Sequence, residues 1–248
     1  MVILVTNDDG ISAPALRRLR EELTPLGRVV VVAPDRDQSA TSHSLTLHRP
    51  FRIHRLEDDV YSVDGTPTDC VVAACHGLLE DAPGLVVSGI NHGPNMGEDV
   101  FYSGTVAAAI EGTLQGAPAI AASLATRELA DFVEPAKFVA RLARSVLERG
   151  LGKRRLLNVN VPHRPWGQVQ GVRVTHLGSR VYQDTLVRKV DPRGRDYYWI
   201  GGEDAVWEPE EGTDFSAVDA GFISVTPMFL DLTDEKAVGS IEAWKLVP

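Results

Sequence analysis

Short apolar runs that break off abruptly into polar turn formers set the rhythm of the first two-thirds of the chain. Val2-Ile3-Leu4-Val5 has no polar position, the pattern of a strand buried on both faces of a parallel sheet, and it runs into Asn7-Asp8-Asp9-Gly10. Val29 to Val32 repeats the pattern and ends in Pro34-Asp35-Arg36-Asp37-Gln38-Ser39. Leu85-Val86-Val87 does so again before Ser88-Gly89-Ile90-Asn91-His92-Gly93-Pro94-Asn95. Further strands are expected at 118–123 and at Leu156 to Val161.

Helical periodicity fills the intervals. Leu16, Leu19, Leu23 and Leu26 recur at spacings of three and four among Arg and Glu, which predicts an amphipathic helix from Ala13 to Leu26 stopped by Gly27. Thr66-Pro67-Thr68-Asp69 reads as a capping box, with Asp for Glu, opening a helix that runs to about Leu79. Ser103 or Thr105 is placed to cap a small-residue helix through Val106 to Gly112, and Glu134 to Glu148 forms another amphipathic helix. Residues 44–63 read as short strands pairing around Asp58-Asp59.

The β/α alternation stops after Pro162. Residues 169–177, 181–190 and 195–200 read as extended, with Asp191-Pro192-Arg193-Gly194 as a hairpin turn near the aromatic Tyr197, Tyr198 and Trp199. A last strand is expected at Gly221 to Thr226 and a short amphipathic tail at Ile241 to Leu246. The expected fold is α/β, a mostly parallel sheet with a C-terminal β-hairpin and tail. Residues 1–162 would form its core, and 163–248 an extension docking on that core or on a neighbouring subunit.

Composition narrows the function classes. With 44% hydrophobic and 24% charged residues in 248, the chain is an ordinary globular sequence long enough to bury a large core. The net charge of −9 disfavours a nucleic-acid polymer as partner, because such binding relies on Lys and Arg neutralising many phosphates. No apolar run approaches a membrane span and no basic leader precedes the first strand, so the expectation is a cytoplasmic protein without a membrane partner. Cys70 and Cys75 fit neither a zinc nor a disulfide pattern and read as small core residues.

In open α/β sheets, ligands sit beyond the carboxyl ends of the strands. Asp8 with Asp9, Ser39, Asn91 with Asn95, and Ser103 with Thr105 therefore converge on one edge. Adjacent carboxylates repel unless a proton or a cation intervenes, and carboxylate, carboxamide and hydroxyl oxygens suit hard ions such as Mg²⁺ or Mn²⁺. Taken one at a time, these residues also make ordinary turns and helix caps. His43 and His92 lie on the same loops, but lone loop histidines are more often solvated than catalytic.

The ordered segments Val-Thr-Asn-Asp-Asp-Gly at 5–10, Ala-Pro-Asp-Arg at 33–36 with Ser39, Gly-Thr-Pro-Thr-Asp-Cys at 65–70, Ser-Gly-Ile-Asn at 88–91 and Tyr-Ser-Gly-Thr-Val-Ala-Ala-Ala at 102–109 closely resemble the SurE family of survival-protein nucleotidases. Gly-Thr-Asp-Phe at 212–215 and Ser-Val-Thr-Pro at 224–227 extend the resemblance. It implies a metal-dependent phosphatase acting on nucleoside monophosphates, with one divalent ion per subunit, Mg²⁺ or Mn²⁺. Asp8, Asp9, Ser39 and Asn91 would be the metal ligands, and Asp8 and Asp9 the catalytic pair. Asn95, Ser103, Gly104 and Thr105 would hold phosphate, while His92 receives no catalytic role. The resemblance also implies a Rossmann-like, three-layer fold with residues 1–162 as the catalytic core, and 163–248 completing it and mediating oligomerisation in a homodimer or homotetramer with exchanged C-terminal elements.

One further reading stays open from the residues. A metal-dependent nucleotide-binding or regulatory protein would use the same loops without turnover. A haloacid-dehalogenase-type phosphatase would need Asp-x-Asp where this chain has adjacent acids, and a dinucleotide oxidoreductase would need Gly-x-Gly-x-x-Gly after the first strand.

Overall fold

A computed structural model describes residues 1–128, 130–181, 185–201, 206–208 and 210–246. In chain order the first elements are β1 (Val2–Thr6), α1 (Pro14–Leu23), β2 (Arg28–Pro34), β3 (Ile53–Glu57), β4 (Val60–Val63), α2 (Pro67–Ala73), β5 (Leu85–His92), α3 (Gly104–Leu114), β6 (Ala119–Ala125), α4 (Val133–Arg149) and β7 (Arg155–Pro162). The remainder comprises β8 (Val172–Val174), β9 (Arg180–Val181), β10 (Thr185–Val190), β11 (Asp196–Gly201), β12 (Val206–Trp207), α5 (Asp214–Asp219), β13 (Ile223–Phe229) and α6 (Glu235–Glu242).

Nine strands make the main sheet in the order β3-β4-β2-β1-β5-β6-β7-β13-β8. Strands β4 through β7 in that order run parallel, β3 is antiparallel to β4, and β13 is antiparallel to β7 but parallel to β8. This is the Rossmann-like α/β fold the sequence predicts. The order of strand addition reverses at β1, which has β2 on one side and β5 on the other, so the carboxyl end of β1 opens onto the crevice where such sheets bind ligands.

The unbroken apolar character of β1 follows from burial on both faces. Ile3 and Val5 pack with Leu16, Leu19 and Leu23 of α1 and with Val139, Ala143 and Val146 of α4. Leu4, on the opposite face, packs with Cys70 and Val71 of α2 and with Val106, Ala108 and Ala109 of α3. The three layers thus follow from strands apolar on both sides and helices apolar on one.

Several local boundaries differ from the expectations. The first helix ends at Leu23, and Thr24–Leu26 tightens into a 3₁₀ turn at Pro25, which has no N–H to continue an α-helix. The helix opened at Pro67 widens after Ala73 into a π turn over Ala74–Leu78. Cys70 is buried, whereas Cys75 on that turn is only half-buried. Residues 44–52 form no strand, and 169–177 is a strand only at Val172–Val174. The hairpin at 185–201 pairs as expected across Asp191-Pro192-Arg193-Gly194, while residues 182–184 of the expected 181–190 segment lie outside the described residues. The tail helix begins earlier, at Glu235, because Asp234 caps it by accepting from Lys236 and Ala237. Among the described residues no helix is long and apolar enough to cross a membrane.

Candidate active site

The turn after β1 is built by Asn7. Its buried carboxamide donates to the Gly10 carbonyl (3.0 Å) and accepts from the Gly10 N–H (3.2 Å), closing the turn around Asp8 and Asp9. The Asp8 carbonyl accepts from the Gln38 N–H (2.8 Å), which ties the polar end of β2 to the same edge.

Asp8 is 4% exposed. One carboxylate oxygen accepts from the Thr105 hydroxyl, and its other neighbour is Gly104, where an added Cβ would lie 2.8 Å from the Asp8 Cβ and 3.0 Å from Oδ2. Only a residue without a side chain lets the helix start approach so closely. Burial pushes the Asp8 pKa up to about 6, the Thr105 hydrogen bond opposes the rise, and the neighbouring Asp9 charge adds to it. The half-buried Asp9 is also shifted upward, first by desolvation and further by Asp37, against the His92 N–H that donates to its Oδ2 (3.2 Å).

Ser103 caps α3, its hydroxyl oxygen accepting from the Val106 N–H (3.1 Å). Of the two candidate caps, Ser103 is therefore the one used. Thr105 turns inward to Asp8. Asn91 is delivered by an irregularity in β5, whose register against β6 shifts between Ser88 and Asn91. At Gly89 (φ +130°) a Cβ would collide with the Ala122 carbonyl oxygen, so this crossing also requires glycine. The Asn91 amide nitrogen donates to the Gly93 carbonyl (2.8 Å), which fixes the orientation of the side chain.

Asn95 is held from the sheet side. Its N–H donates to Asn160 Oδ1 and its side-chain amide to Ser123 Oγ, both at 2.9 Å. Its carbonyl accepts from the side chains of Asn158 and Asn160, also at 2.9 Å. The alternating asparagines of β7 thus position the loop that carries Asn95.

Asp8, Ser39, Asn91, Asn95 and Ser103 line one cavity of about 300 Å³, with His92, Asp99, Tyr102, Arg127 and Arg180. Thr105 and Gly104 meet it through Asp8, and Asp9 through His92. The structure therefore brings the residues selected from sequence to one place. The His92 ring is turned aside, with Nε2 against the Glu128 carbonyl and the ring edge-on to Phe132 (5.9 Å).

The sequence reading passed over several groups. Arg127 follows the carboxyl end of β6, so the strand-end rule applied elsewhere would have found it. Arg180 lies in an irregular stretch with no periodic signal; its guanidinium donates to Asp99 (2.7 Å) and its backbone N–H to Glu98 (2.8 Å). Asp214, fully buried, accepts from the N–H groups of Gly97, Gly178 and Phe215 at 2.8–2.9 Å, fastening the end of the Asn95 loop to the C-terminal region.

The donor set fits a hard divalent ion. Among the described residues no three His, Cys, Asp or Glu side chains cluster as a metal site, so the cation would rest on two carboxylates supplemented by hydroxyl and carboxamide oxygens.

Comparison with known proteins agrees with this arrangement. Residues 3–184 match the family described as "Survival protein SurE". The chain belongs to the SurE family. It is 53% identical over 247 residues to a protein of Geobacter sulfurreducens named 5'-nucleotidase SurE, covering 99% of this chain and 94% of the relative. A relative of the same name from Geotalea daltonii is 50% identical and fully covered. The crystal structure of the SurE protein from Aquifex aeolicus superposes with a TM-score of 0.89 at 45% identity, over 99% of this chain and 100% of that one. The SurE likeness extends through the C-terminal region as well as the core.

Proposed function

We propose that this SurE protein is a nucleotidase that hydrolyses nucleoside monophosphates to nucleoside and phosphate, using one Mg²⁺ or Mn²⁺ per subunit, with short polyphosphate as a further candidate substrate. The buried Asp8 beside Asp9 at the head of α3 carries the reading, and relatives of about half-identical sequence bear the name 5'-nucleotidase over nearly the whole chain.

Asp8, Asp9, Ser39 and Asn91 would hold the ion, which when bound supplies positive charge to the phosphate and to the transition state. Ser103 and the start of α3, with Asn95, bind phosphoryl oxygens, an arrangement the positive end of a helix dipole favours. Thr105 orients the Asp8 carboxylate. Asp8 acts either as base toward an attacking water or as the nucleophile itself. Trapping a phosphorylated Asp8 would exclude direct attack by water.

For the assembly we favour a homodimer or homotetramer that exchanges C-terminal elements. The support is the exposed apolar surface of the hairpin, where Trp199 is 62% and Ile200 83% exposed, together with Leu232, Trp244 and Leu246 in the tail. Light scattering of the intact chain and of a hairpin-deleted chain tests this.

Phosphate release from nucleoside 5'- and 3'-monophosphates, measured with Mg²⁺, with Mn²⁺ and with chelator, tests the activity. Release that needs metal supports the nucleotidase. Metal-dependent nucleotide binding with every ligand recovered unchanged would replace it with the binding-protein reading.

A further inference from the structure

The cavity at Asp8 adjoins a second one of about 480 Å³, and Pro94, Asp99, Arg127 and Arg180 line both. The second cavity adds Met96, Ala125, Val218, Trp207 and Phe215, with Asp219. The Trp207 and Phe215 rings are stacked, with centroids 4.9 Å apart and planes inclined by 17°.

We propose that this second chamber receives the nucleobase of the substrate, an inference that rests on the nucleotidase reading of the first. With phosphate held between Asp8 and the start of α3, the nucleoside must extend away from Ser103, and the cavity that shares four lining residues is the adjacent space for it. Arg127 and Arg180 line both cavities and are matched to an anionic ester, while the second cavity adds the aromatic side chains of Trp207 and Phe215. Stacking on such a surface is open to any base, because every base has a π face.

The local architecture holds the chamber in place. Trp207 on β12 pairs directly with Arg180 on β9, so one two-residue ladder sets both the aromatic wall and the boundary shared with the first cavity. The Asp99 carboxylate anchors the Arg180 guanidinium at 2.7 Å. At Gly97 an added Cβ would lie 2.6 Å from Trp207 Cζ3, so the indole edge is seated directly on backbone. Asp214, through Gly97 and Gly178, secures the same corner.

The test compares a nucleotide with the same phosphoester lacking its base. AMP and ribose 5-phosphate are measured on the parent, on Trp207→Ala and on Trp207→Phe, and the readout is the ratio of the two kcat/KM values. The parent is expected to prefer AMP. Trp207→Ala should lower the ratio about tenfold, the scale of one lost stacking contact, and Trp207→Phe should recover most of it. A variant that is merely less well folded lowers both activities together and leaves the ratio intact, and an intact ratio overturns the proposal. If the parent hydrolyses neither compound, the nucleotidase reading fails by itself. Calorimetric Kd values for AMP and ribose 5-phosphate then supply the same ratio, and equal affinities, or binding of neither, overturn the base chamber too.

Discussion

The Thr105 hydroxyl donates to the Asp8 carboxylate across 97 positions of sequence. That bond joins the end of β1 to the first turn of α3, so the site's most buried acid and its helix start move as one piece. Thr105→Val keeps the shape and removes the donor, leaving a buried carboxylate short of a partner at a cost of about 1–3 kcal/mol. We expect phosphate release to fall at least tenfold and to return in Thr105→Ser. Steady-state kinetics of the three proteins would settle it, and an active Thr105→Val would remove the bond from the mechanism.

Asp8→Asn should abolish phosphate release and yet stabilise the metal-free protein. The folded pKa of about 6 lies above the ordinary value of 3.8, so the folded state holds this proton more tightly. The associated stability is complete below the lower value and is lost as the pH rises through the upper one. At neutral pH the ionised group therefore costs about 3 kcal/mol, which Asn does not incur. Thermal melts in chelator should show Asp8→Asn melting roughly 6–10 °C above the parent near pH 7.5, the difference closing towards pH 4.

Gly104→Ala inserts a methyl group between α3 and Asp8. The new carbon would also lie 3.1 Å from Pro67 Cγ, so it is confined on two sides. The helix start must retreat from the carboxylate. Circular dichroism should remain that of the parent while kcat drops by a factor of roughly 100, the scale associated with ångström-level misplacement of catalytic groups.

Asp214→Ala strands three backbone donors, two of which come from segments distant in sequence. Loss of charged hydrogen bonds in a buried position predicts a destabilisation of about 3 kcal/mol or more, read from the denaturant midpoint. Because Gly97 is one of the three, activity should decline faster with temperature than in the parent. Asp214→Asn keeps an acceptor and should lie between.

The legibility of this protein in its sequence divides at Pro162. Before it, strands apolar on both faces and helices with three- and four-residue spacing announced themselves, and the strand-end rule collected Asp8, Asp9, Ser39, Asn91 and Asn95. Local chemistry also identified the Thr66–Asp69 capping box, which the structure contains with Asp69 additionally holding Thr46. Periodicity could not show that Thr105 faces inward while Ser103 caps, since both residue types suit either task. Nor could it place Arg180 or Trp207, because two-residue strands carry no repeat to detect. Arg127 was accessible to the same reasoning that found its neighbours.

Strand β13 enters the sheet between β7, which precedes it by a long irregular excursion, and β8, which lies within that excursion. A polypeptide leaving the ribosome therefore displays β7, with the asparagines that later hold Asn95, as an open edge until Ile223–Phe229 has been made. An unpaired edge of this kind favours aggregation and invites a chaperone. On the nucleotidase reading, activity then awaits the docking of β13, which separates production of Asp8 and Asp9 from the moment they become competent.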